Sequence, residues 1–151
     1  MVEIENAEIM TMNEQNVAGK KISVIGAARS GLAIARLLAD RRADVFVSDS
    51  SPADKLQVSA LASLGVKYET GRHSDRVYDA DVLVLSPGVP SDAPVVREAR
   101  ARGVKIVGEL EAASWFCRSP IIAVTGTNGK TTTTTLIGRM PSERGESPNV
   151  R

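Results

Sequence analysis

Near the C-terminal end of the chain, a glycine-rich turn stands between an apolar run and a hydroxyl-rich segment. The run is Ile121-Ile-Ala-Val124, the turn is Gly126-Thr-Asn-Gly129, and Lys130, Thr131 and Thr132 follow. This order predicts a short buried strand, a loop and the start of a helix. Glycines let main-chain amides approach phosphate oxygens, a helix N-terminus favours anions, and a lysine can reach the outer phosphates. The pattern therefore predicts a cradle for the phosphates of ATP, with the Thr131 hydroxyl placed to hold Mg²⁺.

The spacing of this loop is tighter than that of the common phosphate loop, because only Thr127 and Asn128 separate its first glycine from Gly-Lys. A plain strand-to-helix turn is the alternative, since Gly-Thr-Asn-Gly is ordinary turn sequence. Phosphate binding is favoured because it needs both the apolar strand and the Lys-Thr pair, whereas a turn needs neither. The candidate ATP-binding residues are Gly126, Thr127, Asn128, Gly129, Lys130, Thr131 and Thr132. Lys130 and Thr131 are also the candidate catalytic residues.

The composition limits the partners of this chain. A hydrophobic content of 42% with only 3% aromatic residues predicts a core of aliphatic side chains. Nineteen basic and 18 acidic residues nearly balance and no basic run is present, so we expect no nucleic-acid partner. The single cysteine fits a reducing compartment, and no apolar run approaches the length of a membrane span, about 20 residues. We predict a cytoplasmic protein without membrane contact, and a monomer.

A second glycine-rich turn follows the first predicted strand, Lys21–Ile25. The turn is Gly26-Ala-Ala-Arg-Ser-Gly31, and the strand predicted after it and its helix is Asp44–Asp49. The small and apolar positions between them recur at helical spacing: Gly31, Ile34, Ala35 and Leu38. Strand, helix and strand in this order predict the first βαβ unit of a doubly wound parallel sheet.

The remaining pattern continues the alternation of strands and helices. It predicts a helix over 55–64, a strand over 66–69, a strand over 81–85, a helix over 94–102, a strand over 105–107 and a helix from residue 108. The predicted fold class is α/β, a Rossmann-like parallel sheet domain followed by the first strand, loop and helix start of a truncated P-loop ATPase domain. The predicted boundaries are a loose extension over 1–18, the Rossmann-like domain over 19–118, the start of the ATPase domain over 119–140 and an atypical tail over 141–151.

Several residues of the first domain have two interpretations. Ala28 stands where the dinucleotide-binding fingerprint has its middle glycine, which disfavours a nicotinamide or flavin dinucleotide. Asp49 lies 18 residues beyond Gly31, where it could bind a ribose or cap the loop after its strand, and both interpretations stay open. The segment Ser86–Pro90 is either a ligand-contacting turn at the carboxyl edge of the sheet or a rigid turn alone.

The aromatic residues and the histidine are better explained by structure than by chemistry. The pair Trp115 and Phe116 is interpreted as core packing in preference to a base-stacking platform. The single histidine, His73, has no cysteine or cluster of acids at metal-ligand spacing around it, so a surface loop residue is favoured over a metal ligand.

Three motifs in order resemble those of the Mur ligases of peptidoglycan synthesis, and most closely the D-glutamate-adding members. They are Val24-Ile-Gly26 with Ser30-Gly31-Leu32, then Ser86-Pro-Gly88-Val89, then Thr125-Gly-Thr-Asn-Gly-Lys-Thr131. The resemblance runs over about residues 20–139. It implies ATP-dependent amide formation, in which the carboxylate of UDP-N-acetylmuramoyl-L-alanine is phosphorylated and the amine of D-glutamate displaces phosphate from the acyl phosphate.

The resemblance also implies roles for individual residues. Lys130 would stabilise phosphate charge, Thr131 would help to hold Mg²⁺, and the amides of Asn128 and Gly129 would wrap the β-phosphate. In the first domain, the loop over residues 29–31 would face the UDP group. Asp49 and Ser50 would face the uridine, and Gly88 would lie near the diphosphate. These residues are Arg29, Ser30, Gly31, Asp49, Ser50 and Gly88.

In that family the remaining metal, ATP and D-glutamate sites lie beyond the phosphate loop, so we expect this chain alone to be catalytically inactive. A non-catalytic Rossmann-type module that binds a dinucleotide or UDP-sugar through residues 26–50 is the main alternative. A folylpolyglutamate-type synthetase is disfavoured, because such chains lack a preceding βαβ domain.

Overall fold

A computed structural model describes residues 16–118 and 121–139, and these two parts belong to two compact units. The predicted tail over 141–151 and nearly all of the predicted extension over 1–18 lie outside the described residues. The two units are described separately below.

The larger unit is a five-stranded sheet with the strand order β3-β2-β1-β4-β5, in which every neighbouring pair is parallel. The strands are β1 Lys21–Ile25, β2 Asp44–Asp49, β3 Lys67–Thr70, β4 Val82–Leu85 and β5 Lys105–Gly108. The helices are α1 Arg29–Asp40, α2 Val58–Ser63, α3 Pro94–Ala101 and α4 Glu109–Ser114, with short 3₁₀ helices at Ala53–Lys55 and Asp75–Tyr78. The predicted α/β class with a parallel sheet is confirmed.

Aliphatic side chains cover the sheet on both faces. One cluster joins the strands to α1, α2 and α4 and contains Leu38, Val47 and Trp115. The other joins the strands to α3 and contains Leu83 and Val96. Both faces of a parallel sheet are covered in this way, because the helices that connect its strands lie on the two faces. Trp115 is 2% exposed, which confirms its interpretation as core packing.

Most element boundaries differ from the prediction by one residue, and the second helix differs by more. The helix predicted over 55–64 is only α2, because the 3₁₀ helix after Pro52 ends at Lys55 and Leu56 is extended, with φ −118° and ψ 156°. Leu61 is the buried side chain of α2, so little apolar surface is available to hold a longer helix. The third strand begins one residue later than predicted, because its pairing with β2 begins at Lys67, opposite Phe46.

The smaller unit contains α5, Lys130–Arg139, which follows the glycine turn as predicted. The buried strand predicted before that turn is wrong for the described residues. Apart from a single bridge at Ile121, residues 122–125 form no strand, and Ile122 is 63% exposed. A strand exists only beside a partner that supplies its ladder of hydrogen bonds, and the described part of this unit contains no second strand.

Candidate functional site

The carboxyl ends of β1 and β4 meet at the point where the strand order reverses. The chain leaves β1 toward β2 on one side and leaves β4 toward β5 on the other. The two loops touch there, because the Ser86 N–H donates to the Ile25 carbonyl oxygen at 3.1 Å and Ser86 Oγ donates to the Gly26 carbonyl oxygen at 3.4 Å. Open α/β sheets bind ligands in the crevice at such a point.

The glycine loop after β1 brings the start of α1 close to this edge. Gly26 has φ +97°, a conformation that favours glycine. A Cβ atom on Gly31 would overlap the Gly26 carbonyl oxygen and would lie 2.9 Å from Ser86 Oγ. The absence of a side chain at Gly31 therefore allows α1 to begin directly against the loop.

The N-terminus of α1 suits an anion. Its N-cap residue, Ala28, makes no side-chain hydrogen bond to the helix, and the first turn contains no acidic residue. The first amides of a helix have no intrahelical partner and carry partial positive charge. Arg29 is exposed beside them and Ser30 is half-buried. The predicted residues Arg29, Ser30 and Gly31 thus stand together at the edge where a diphosphate could bind.

Asp49, at the end of β2, holds the loops on either side of it. Its Oδ2 accepts the Ala27 N–H at 2.6 Å and its Oδ1 accepts the Ser51 N–H at 2.7 Å. Partial burial acts to raise the pKa of the Asp49 carboxyl, but these hydrogen bonds outweigh burial and the pKa is lowered. Of the two interpretations, the loop cap is present in the structure. A contact between Asp49 or the exposed Ser50 and a ribose stays a prediction.

Gly88 lies in the turn after β4, where the Val89 N–H donates to the Ser86 carbonyl oxygen at 3.0 Å. A Cβ atom added to Gly88 would meet nothing within 4 Å, so protein packing does not require glycine here. The turn is present, and the role of Gly88 near a diphosphate stays a prediction.

A polar cluster that the sequence pattern did not predict lies at the carboxyl ends of β2 and β3, and its central residue, Ser48, bonds to the glycine loop. Ser48 is fully buried, and its Oγ lies 2.7 Å from Glu69 Oε1 and 2.7 Å from His73 Nδ1. His73 lies in a loop as predicted, but it is half-buried and contacts Ser48, so it is not fully at the surface. The available signal was Ser48 itself, a hydroxyl at the end of the apolar run Val45-Phe-Val47, because a buried hydroxyl needs a partner.

The predicted phosphate loop, in the smaller unit, is open to solvent over residues 125–130. Gly126 has φ +147° and Gly129 has φ +79°, which explains two of its glycines. Lys130 Nζ donates to the Gly126 carbonyl oxygen at 2.6 Å, so the ammonium folds over the loop. The Thr133 N–H bonds to the Gly129 carbonyl oxygen at 2.9 Å, which starts α5 directly after the loop.

The donor set of this loop fits a magnesium-bound polyphosphate. The first amides of α5, the Lys130 ammonium and the exposed Thr131 hydroxyl supply donors and one oxygen ligand. Among the described residues, no group of three or more His, Cys, Asp or Glu side chains could hold a metal ion. None of the described helices is long and apolar enough to cross a membrane.

Comparison with known families and proteins identifies similar sequences. A family model described as "Mur ligase MurD-like, N-terminal domain" matches residues 20–108. The UDP-N-acetylmuramoylalanine--D-glutamate ligase of Chlorobaculum parvum is 48% identical over 140 residues, which cover 93% of this chain and 30% of that protein. The enzyme of the same name from Salinibacter ruber is 48% identical over 129 residues, 85% of this chain and 28% of that protein. The chain thus spans about 30% of the length of these relatives.

Two solved ligase structures are similar to this chain. A pseudomurein peptide ligase type C from Methanothermus fervidus matches with a TM-score of 0.57 and 28% identity, over 79% of this chain and 25% of that one. The UDP-N-acetylmuramate-alanine ligase MurC from Thermotoga maritima matches with a TM-score of 0.52 and 28% identity, over 61% of this chain and 21% of that one.

Proposed function

This chain belongs to the Mur ligase MurD-like N-terminal domain family, and from that premise we propose that it serves an ATP-dependent ligase of peptidoglycan precursor synthesis. The reaction joins D-glutamate to UDP-N-acetylmuramoyl-L-alanine. The substrate carboxylate attacks the γ-phosphate of ATP and ADP leaves; the amine of D-glutamate then displaces phosphate from the acyl phosphate. The activity named for the relatives supports this proposal.

Within this function, the larger unit binds the UDP group of the substrate. The observation that carries the proposal is the start of α1, which has no side-chain cap and is set against the glycine loop at the switch point of the sheet. The diphosphate would cap the free amides of this helix beside Arg29. Asp49 and Ser50 would then face the uridine, and the open space at Gly88 would admit the phosphates.

The loop over residues 126–132 binds ATP in this proposal. Lys130 leaves the Gly126 carbonyl to meet the outer phosphates, and the amides of Asn128 and Gly129 contact the β-phosphate. Mg²⁺, held in part by the Thr131 hydroxyl, would supply neutralisation of the charge that develops on the phosphates. The use of ATP and a single cysteine favour a cytoplasmic location.

Titration calorimetry of the purified chain with UDP-N-acetylmuramoyl-L-alanine tests the UDP site. We expect binding, and we expect Arg29→Ala to weaken it at least about tenfold, since a charge-assisted contact to phosphate contributes roughly 1.5–3 kcal/mol. Arg36→Ala is the matched control, because Arg36 is an exposed arginine further along α1 and should bind as the unaltered chain does. Equal losses in both variants would contradict a local diphosphate contact.

The same titration with NADH separates the ligase from a non-catalytic dinucleotide-binding module. Ala28 occupies the position at which a dinucleotide-binding loop has its closest approach to pyrophosphate, so we expect NADH not to bind. Binding of NADH without binding of the UDP compound would favour the module and contradict the ligase proposal.

A further inference from the structure

Glu69, Ser48 and His73 form a continuous hydrogen-bonded chain at the carboxyl end of β2 and β3. Ser48 Oγ is 2.7 Å from both the Glu69 carboxylate and His73 Nδ1, and the Ser74 N–H donates to the same Glu69 oxygen at 2.8 Å. The Arg72 carbonyl, at 3.5 Å from Ser48 Oγ, is a much weaker alternative acceptor. Ser48 is buried and the two side chains that it contacts are half-buried, so an unsatisfied polar group here would cost free energy of folding.

The position of each proton in this hydrogen-bonded series of side chains can be assigned by elimination. Burial acts to raise the pKa of Glu69, but the hydrogen bonds from Ser74 and Ser48 outweigh it and lower the pKa, so the carboxylate is ionised and only accepts. The Ser48 hydroxyl has one proton and gives it to Glu69. The contact between Ser48 Oγ and His73 Nδ1 therefore needs a proton on Nδ1. Burial lowers the pKa of His73, so the neutral ring is favoured, and its tautomer is Nδ1–H.

Ser48, whose side chain contacts His73, also contacts the glycine loop through its main chain. The main-chain carbonyl of Ser48 accepts the Gly26 N–H at 2.9 Å. The next residue, Asp49, accepts the Ala27 N–H at 2.6 Å. Two consecutive residues of β2 thus fix two consecutive amides of the loop, and the side chain of the first is fixed in turn from β3 and its following loop.

We propose that His73 is a positioning residue for the nucleotide: as an Nδ1–H donor to Ser48 it fixes the end of β2, and thereby the glycine loop and the Asp49 carboxylate that face the UDP group. This inference rests on the proposed UDP site, and it adds a residue outside the motifs that identified that site. Histidine suits this place because its ring nitrogen reaches Ser48 Oγ from the loop after β3.

Nuclear magnetic resonance tests the proton assignment directly. His73 is the only histidine of the chain, so its two ring nitrogens can be identified without assignment of other residues. In a ¹⁵N–¹H correlation spectrum at pH 8 we expect the protonated nitrogen to be Nδ1. The variant Ser48→Ala removes the acceptor, and we expect the ring to shift to the Nε2–H form that free histidine prefers. An Nε2–H ring in the unaltered chain would overturn the inference.

Calorimetric titration with UDP tests the effect on binding. We expect His73→Leu to weaken UDP binding by about five- to tenfold, the effect of one net hydrogen bond, and His73→Asn to stay within about twofold because its amide can donate from the position of Nδ1. Ser48→Ala combined with His73→Leu should bind no more weakly than the weaker single variant, since both act through one contact. Arg72→Ala, an exposed side chain in the same loop, is the matched control.

The outcomes separate this inference from the function on which it rests. Binding of UDP by the unaltered chain with no change in His73→Leu would overturn the positioning role and leave the UDP site in place. Failure of the unaltered chain to bind either UDP or UDP-N-acetylmuramoyl-L-alanine would overturn both. Circular dichroism of His73→Asn and His73→Leu confirms that a loss of affinity is not a loss of fold.

Discussion

Replacement of Gly31 by alanine has two opposite effects on the free energy of unfolding, and the size of each can be stated. In an isolated helix the change would stabilise, since alanine is favoured over glycine by about 0.8–1 kcal/mol. In this protein the new methyl group would overlap the Gly26 carbonyl oxygen and approach Ser86 Oγ to 2.9 Å. The first obstacle is main chain fixed by its own hydrogen bond to Ser48, so a change of rotamer cannot relieve it.

The magnitude follows from the balance of these effects. Overpacking of a well-packed core costs about 1–3 kcal/mol, and contact with main chain places Gly31→Ala near the upper end of that range. After subtraction of the gain in helix propensity, we expect the free energy of unfolding to fall by about 2 kcal/mol. For a domain of about 100 residues this corresponds to a decrease in Tm of roughly 10 °C.

Urea unfolding followed by the fluorescence of Trp115 measures this change. Trp115 is the only tryptophan and is buried in the core of the larger unit, so its emission reports the unfolding of that unit. Gly88→Ala is the control, because its methyl group would enter open space. A Gly31→Ala protein as stable as the original, or more stable, would show that helix propensity dominates and that the close packing of α1 on the loop is not rigid.

Three further changes have defined outcomes. The folded-state pKa of Asp49 is lowered, so the ionised carboxylate stabilises the fold fully above its unfolded pKa of about 4, and this stabilisation is lost as the pH falls through the folded pKa. Asp49→Asn should therefore lower the free energy of unfolding by about 1–2 kcal/mol at pH 7 in urea unfolding, and the stabilities of the two proteins should converge in acid. Lys130→Met should weaken ATP binding by about tenfold or more in calorimetry and leave UDP binding unchanged, because it removes one charge-assisted contact to phosphate. Leu38→Ala, at a fully buried side chain, should lower the free energy of unfolding by about 2–5 kcal/mol, and a smaller cost would indicate a core that collapses around the cavity.

The first βαβ unit was predictable because its signals are periodic and agree with one another. Gly31, Ile34, Ala35 and Leu38 recur at helical spacing, and they are the residues that α1 buries. By contrast, the helix predicted over 55–64 depended on a window with one buried side chain, Leu61. Its first three residues became the end of a 3₁₀ helix, an extended residue and the N-cap of α2. Periodicity predicts a helix well only where tertiary contacts use the face that it describes.

The loops of the candidate site were predictable, but the side chains that hold those loops in place were not. Glycine turns at strand ends identify Gly26, Gly31 and the loop before Lys130 from sequence alone, because few other residues adopt those conformations or allow such close packing. The contact of Ser48 with Glu69 and His73 depends on the register of β2 against β3, which sets Ser48 beside Glu69. Register arises from pairing across the sheet, and a single sequence does not encode it locally.

The bonds that Ser48 and Asp49 make to the Gly26 and Ala27 amides have a kinetic consequence. The glycine loop is held by the protein's own groups, so a nucleotide does not have to order it on arrival. We therefore expect association governed by diffusion and by attraction between opposite charges, with a rate that falls as salt is added and a single kinetic phase in stopped-flow mixing. Differences in affinity among nucleotides would then reside almost entirely in how long each one stays bound.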